Sequence, residues 1–232
     1  MGAVLCGLGS SREEDLTLSS AAVSEEGQGP QEGAAKSEYS EDKEIWRVSL
    51  GAGCYWGTEA FMKNKFVKQP NLPDGKLLEG AVGFMGPASA PANPTYAQVC
   101  TGGTKHVEVY DVKFAGGAAF FEAMLKFYFM FHDPTTRDRQ GGDRGTQYAS
   151  VIYCYNKKQF DIAKRVRDEL QDHINQKRLG RVFTSSRVCT DVRMVESIFY
   201  PAHLEHQDYL TINPGGYCNH SMRFTVWPTA EE

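Results

Sequence analysis

From residue 44 onward, runs with a hydrophobic period of two alternate with runs of period 3.6, which restricts the chain to a sheet with helices packed on it. In "IWRVSL" the alternation puts Trp46, Val48 and Leu50 on one face of a strand. "WGTEAFMKNKF" continues as a helix in spite of Gly57, "LLEGAVGFMG" and "HVEVYDVKF" read as strands, "GAAFFEAMLKFYFMF" as a strongly apolar helix, and "ASVIYCY" as another strand. In "KKQFDIAKRVRDELQDHINQK" Phe160, Ala163, Val166, Leu170 and Ile174 form one apolar stripe with charged flanks, the mark of a surface helix. "RVCTDVRMVESIFYPA" is a last extended stretch, and "HLEHQDYLTINPGGYCNHSMRFTVWP" is loop-rich. The fold class expected is α+β.

A disordered tail and a single folded domain are expected. Residues 1–43 are rich in Ser, Glu, Gly and Ala and poor in large apolar side chains, so they read as a disordered tail, and residues 44–232 form the folded domain. The start, "MGAVLCG", resembles an N-myristoylation site at Gly2 with Cys6 available for a palmitoyl group, although Cys6 stands where Ser or Thr is usual. The formal net charge of −4 carries no basic bias toward nucleic acid. The six cysteines are scattered without a CxxC pair, as in a protein of a reducing compartment with mostly free thiols. A cytoplasmic monomer is expected, held at a membrane only where the N-terminus carries lipid.

Four segments are rich in chemistry. "GAGCYWG" sets Cys54 at the first turn of a helix, where amides and the helix dipole favour thiolate; the alternative is a buried core cysteine. Glu108 shares a strand face with Tyr110, Val112 and Phe114. Burial there would hold its proton, as suits a general acid, whereas an edge strand would leave it in water. "HDPTTRDRQGGDRGTQY" is a polar, Gly-containing loop ending in Tyr148. Cys218 lies in the turn-rich "NPGGYCNH", a segment expected to be mobile and suited to a resolving thiol that swings onto an oxidised partner. Competing readings pair Cys54 with His106, His132 or His206 as a cysteine hydrolase, or group His203, His206, Cys218 and His220 around zinc, a spacing that fits no common zinc pattern.

The segments "GCYWGTE", "NPTYAQVCTG", "HDPTTRDRQGGDRGTQY", "FYPAHLEHQDYL" and "NPGGYC", in this order, resemble the A-type peptide methionine sulfoxide reductases over about residues 46 to 218. The resemblance implies a two-layer α/β sandwich with a ferredoxin-like core and an irregular C-terminal extension. It also implies that Cys54 attacks the sulfoxide sulfur and becomes a sulfenic acid, and that Glu108 protonates the oxygen. Tyr96 and Tyr148 would bind this oxygen, Asp143 would support the site, and Tyr55 and Trp56 would receive the substrate's methyl group, selecting the S epimer. Cys218 would resolve the sulfenic acid as a disulfide with Cys54, which thioredoxin, or dithiothreitol in vitro, would reduce, with no metal or organic cofactor. Free and peptide-bound methionine sulfoxide are the implied substrates, and repair of oxidised proteins the implied role. Tyr55 departs from the family's usual Phe, "KHVE" lacks a Gly before His106, and no cysteine follows Cys218, leaving Cys100 and Cys189 as other thiols for the relay.

Overall fold

The structure, a computed structural model, describes residues 44–229. Gly2, Cys6 and the expected disordered tail lie outside the described residues. Strand β1 (Trp46–Ala52) leads into helix α1 (Tyr55–Asn64), followed by β2 (Lys76–Met85), the short α2 (Tyr96–Cys100), β3 (Val107–Ala115) and α3 (Gly117–Phe131). The two-residue strands β4 (Arg139–Gln140) and β5 (Asp143–Arg144) form a small ladder before β6 (Ser150–Cys154) and α4 (Lys157–Asn175). The chain ends in short elements, β7 (Asp191–Met194), β8 (Tyr200–Pro201) and α5 (Tyr209–Ile212).

One six-stranded sheet runs in the order β7-β6-β1-β3-β2-β8. Its four inner strands, β6-β1-β3-β2, are antiparallel neighbours joined through α1 and α3, which is the split βαβ arrangement of ferredoxin-like folds. Helix α4 carries the chain over to β7, which pairs parallel with β6. The two-layer α/β reading of the resemblance is therefore correct, and the expected extended stretch before residue 202 is reduced to two short edge strands.

Register follows from the alternation in the sequence. Val48 sits opposite Val112 and Cys154, and Leu50 opposite Tyr110 and Ile152, so one face of three strands presents apolar side chains to α1 and α3. Val107, Val109, Val151 and Tyr153 occupy the other face, where Val195 and Phe199 of the C-terminal segment cover them. Strand β3 is thus buried on both faces. Helix α3 is apolar on nearly all sides for a similar reason: Phe131 meets Phe61 of α1 at 4.9 Å between ring centroids, and Phe129 meets Trp227 at 6.5 Å. In α4, Asn156 caps the first turn by accepting from the Gln159 amide at 2.9 Å. The Gln159 side chain in turn donates to the Arg47 carbonyl at 2.9 Å, fastening the helix to β1.

Candidate active site

Cys54 is the residue before α1 and is 8 % exposed. Gly53 must precede it, because this position has φ +97° and a Cβ there would lie 2.5 Å from Cβ of Gln140. Glu108, on the central strand β3, is 1 % exposed, and its Oε2 accepts from the Tyr55 amide at 3.2 Å. Burial is the main cause that lifts its pKa to about 8; the Tyr55 amide opposes the shift and Asp143 adds to it. At neutral pH Glu108 therefore holds its proton. The edge-strand alternative is excluded by the position of β3 between β1 and β2.

The expectation that a helix start makes Cys54 a resting thiolate is corrected. The Trp56 amide does favour the thiolate, but burial first, then the carboxyl of Glu108, outweigh it and push the thiol well up. Asp143 and Cys218 act on Cys54 in the same direction. A desolvated thiol beside a protonated acid is a pair with both protons in place.

Aromatic side chains wall this pair. Tyr55 packs against Phe84, His206 and Trp56 at 5.9, 5.7 and 6.3 Å between centroids. Trp56 stacks on Tyr209 at 3.8 Å and 14°. Tyr96 lies 4.5 Å from the His206 ring, on a helix begun by a capping box in which Thr95 and Gln98 bond reciprocally. Tyr148 belongs to a loop held by Gln147, which donates to the Cys100 carbonyl at 3.1 Å. Burial raises the Tyr148 phenol, and the Glu108, Asp143 and Cys54 groups reinforce the shift. The structure thus gathers Cys54, Tyr55, Trp56, Tyr96, Glu108, Asp143 and Tyr148 from β1, α1, α2, β3 and the β5–β6 region.

The C-terminal segment completes the site, and it is tied down rather than free. Asp143 accepts from the Tyr217 hydroxyl at 2.9 Å and from the Asn219 amide at 2.7 Å, so hydrogen bonds hold both neighbours of Cys218 on one carboxylate. Asn219 also donates to the Gln140 carbonyl at 2.7 Å. In the segment expected to be mobile from "NPGGYC", both neighbours of Cys218 are thus hydrogen-bonded. Further back, Gln207 bonds to both the amide and the carbonyl of Val82, and the Asp208 amide donates to buried Glu59 at 2.9 Å. Together they place His206 and Tyr209 over Trp56. Tyr209, Tyr217 and Asn219 were missed in the sequence; their signal was only their proximity to His206 and Cys218.

Among the described residues no hydrogen bond joins Cys54 to His106, His132 or His206, and the His206 ring is instead stacked on Trp56 at 5.7 Å between centroids. His132 is engaged by the Tyr128 carbonyl at 2.7 Å and Ser150 at 2.8 Å, and His106 packs edge-on against Tyr200. Among the described residues, no three His, Cys, Asp or Glu side chains converge as metal ligands. All five described cysteines are free thiols.

The chain is similar to known proteins over most of its described length. A family model described as peptide methionine sulfoxide reductase matches residues 46–230. A probable peptide methionine sulfoxide reductase of Schizosaccharomyces pombe is 34 % identical over 180 residues, covering 77 % of this chain and 96 % of its own. The peptide methionine sulfoxide reductase MsrA of Methanoculleus marisnigri is 36 % identical over 186 residues, covering 80 % and 98 %. Among solved structures, methionine sulfoxide reductase A of Corynebacterium diphtheriae is 32 % identical with a TM-score of 0.61, covering 75 % of this chain and 77 % of that one. Reduced Mxr1 of Saccharomyces cerevisiae is 28 % identical with a TM-score of 0.64, covering 78 % and 93 %.

Proposed function

This chain belongs to the peptide methionine sulfoxide reductase family, A type, and is an enzyme that reduces methionine sulfoxide; we propose a role for each residue of its site. Cys54 attacks the sulfoxide sulfur while Glu108 gives its proton to the oxygen. The thiol proton then returns to Glu108, leaving methionine and a Cys54 sulfenic acid. The observation that carries this reading is the Tyr55 amide bond to Glu108, which fixes a buried, protonated acid beside the nucleophile. Tyr96 and Tyr148 donate to the oxygen as charge gathers on it, in a site closed enough to make such bonds strong. Asp143 supports the site by holding Tyr217 and Asn219. Tyr55 and Trp56 accept the methyl group, and an apolar wall facing polar donors favours the S epimer over the R.

Cys218 then attacks the sulfenic acid. Cys54–S–OH and Cys218–SH become a disulfide and water, and a dithiol reductant restores both thiols. Thioredoxin is the reductant we assign, with free methionine sulfoxide and exposed methionine sulfoxide of oxidised proteins as substrates. We place the enzyme in the cytoplasm as a monomer that repairs oxidised proteins, with lipid at Gly2 or Cys6 as the route to a membrane.

The test is to give the pure protein each epimer separately with dithiothreitol and to count methionine formed. Turnover of the S epimer alone is expected. Equal use of both epimers would defeat the proposed pocket, and turnover by Cys54→Ser would defeat the nucleophile.

A further inference from the structure

His220 lies two residues beyond Cys218 and is 8 % exposed. Its Nε2 is 2.7 Å from the carbonyl oxygen of Ala52. A carbonyl only accepts, so Nε2 carries the proton, and in a neutral ring Nδ1 is left as a bare acceptor. That nitrogen faces Cys218, 3.9 Å from its Sγ. Burial lowers the ring's pKa to about 4, and the nearby Arg223 lowers it further, while the Ala52 carbonyl works the other way. The ring is therefore neutral over the whole physiological range. His132, which His220 disfavours from charging, is the other titratable neighbour.

The ring sits in a seat built for it. A Cβ at Gly57 would lie 2.0 Å from Nδ1, so the glycine in the first turns of α1 makes room for the imidazole. Phe61 and Phe131 flank it at 6.0 and 5.5 Å between centroids. With Nε2 pinned to the carbonyl two residues before Cys54, the ring bridges the end of β1 to the second thiol. Its free nitrogen cannot turn away.

We propose that His220 is a catalytic base for the resolving step, taking the thiol proton of Cys218 as its sulfur attacks Cys54. This rests on Cys218 being the resolving thiol. The S–O bond of the Cys54 sulfenic acid breaks as the S–S bond forms, and the hydroxide leaves as water with the proton of Glu108. His220 then gives up the proton it took, and Glu108 regains one, through solvent. No oxidant beyond the sulfenic acid is needed. A separation of 3.9 Å is the long end of a sulfur hydrogen bond, as is common before a reactant is in place.

The test is a single turnover of reduced enzyme with excess methionine sulfoxide and no external reductant, from pH 5.5 to 9. Methionine released reports the first step. Loss of thiols and of sulfenic acid trappable by dimedone reports the second. His220→Gln keeps a donor for the Ala52 carbonyl and removes the nitrogen that faces Cys218. It is expected to release methionine at the wild-type rate and to form the disulfide about tenfold slower at pH 7, with the deficit closing toward pH 9 as hydroxide takes over deprotonation. His220→Asn offers Cys218 an acceptor oxygen without basicity and is expected to be equally slow, so either variant suffices if the other does not fold. Disulfide formation at the wild-type rate in either variant would overturn the assignment. Cys218→Ser separates the two levels. If it still forms a disulfide at the wild-type rate, the resolving role of Cys218 fails; if it stalls while the His220 variants are fast, only the base is wrong.

Discussion

The amide nitrogen of Tyr55 lies 3.2 Å from Oε2 of Glu108, so the first peptide unit of α1 holds the acid while the residue before it carries the nucleophile. Helix start and central strand thereby fix each other. The acid is thereby anchored to the peptide unit that follows the nucleophile.

With the Glu108 pKa at about 8, the rate of methionine release in a single turnover should be level at neutral pH and fall as pH rises through about 8. Glu108→Gln keeps the shape without the proton. It should lower that rate on the order of 100-fold and remove the fall near pH 8. A quench-flow pH profile of the two proteins checks both.

The same residue links stability to pH. Its folded pKa is raised above the unfolded value, so the folded state holds a proton the unfolded state has lost, and stability declines between about 4.5 and about 8. Glu108→Gln lacks this penalty. Its urea midpoint relative to wild type should climb across that window and level off above it.

Tyr55 is buried, and its hydroxyl has no hydrogen-bond partner. Tyr55→Phe deletes an unpaired polar group and keeps the ring contacts, so it should stabilise the fold by about 1 kcal/mol. Turnover should stay within about twofold, since the wall needs only an apolar ring. Thermal denaturation together with steady-state kinetics decides this.

Alanine in place of Gly57 should favour a helix by about 1 kcal/mol. Here the added carbon meets the His220 ring at 2.0 Å, and overpacking of this kind costs about 1–3 kcal/mol. The second effect should win. Gly57→Ala is expected to lose up to about 2 kcal/mol in chemical denaturation and to slow disulfide formation with it.

Asn219→Ala removes the donor shared by Gln140 and Asp143 and leaves Tyr217 as the remaining tie on that carboxylate. The segment carrying Cys218 should loosen. Disulfide formation should slow several-fold, and limited proteolysis should cut near Gly215 and Gly216 more quickly than in wild type.

The inner sheet was legible because its faces alternate. Val48, Leu50, Val112 and Ile152 announce themselves by period, and the register follows from burying them together. Glu108 could be placed on the right face but not on a central strand, because pattern alone does not say which strands lie at the edge. Cys54 shows the same limit: local position reveals the helix start, whereas burial and the carboxyl of Glu108, which outweigh it, depend on residues distant in the chain. Tyr217, Asn219 and His220 were opaque because their partners, Asp143, Gln140 and Ala52, are distant in the chain and carry no periodic mark.

The seat under His220 also imposes an order on change. An imidazole at 220 leaves no room for a side chain at 57, where a Cβ would lie 2.0 Å from Nδ1, whereas glycine at 57 demands no imidazole at 220. A lineage can therefore gain the histidine only on a background that already has the glycine. Once gained, it makes loss of that glycine costly, so the two positions should be inherited as one unit.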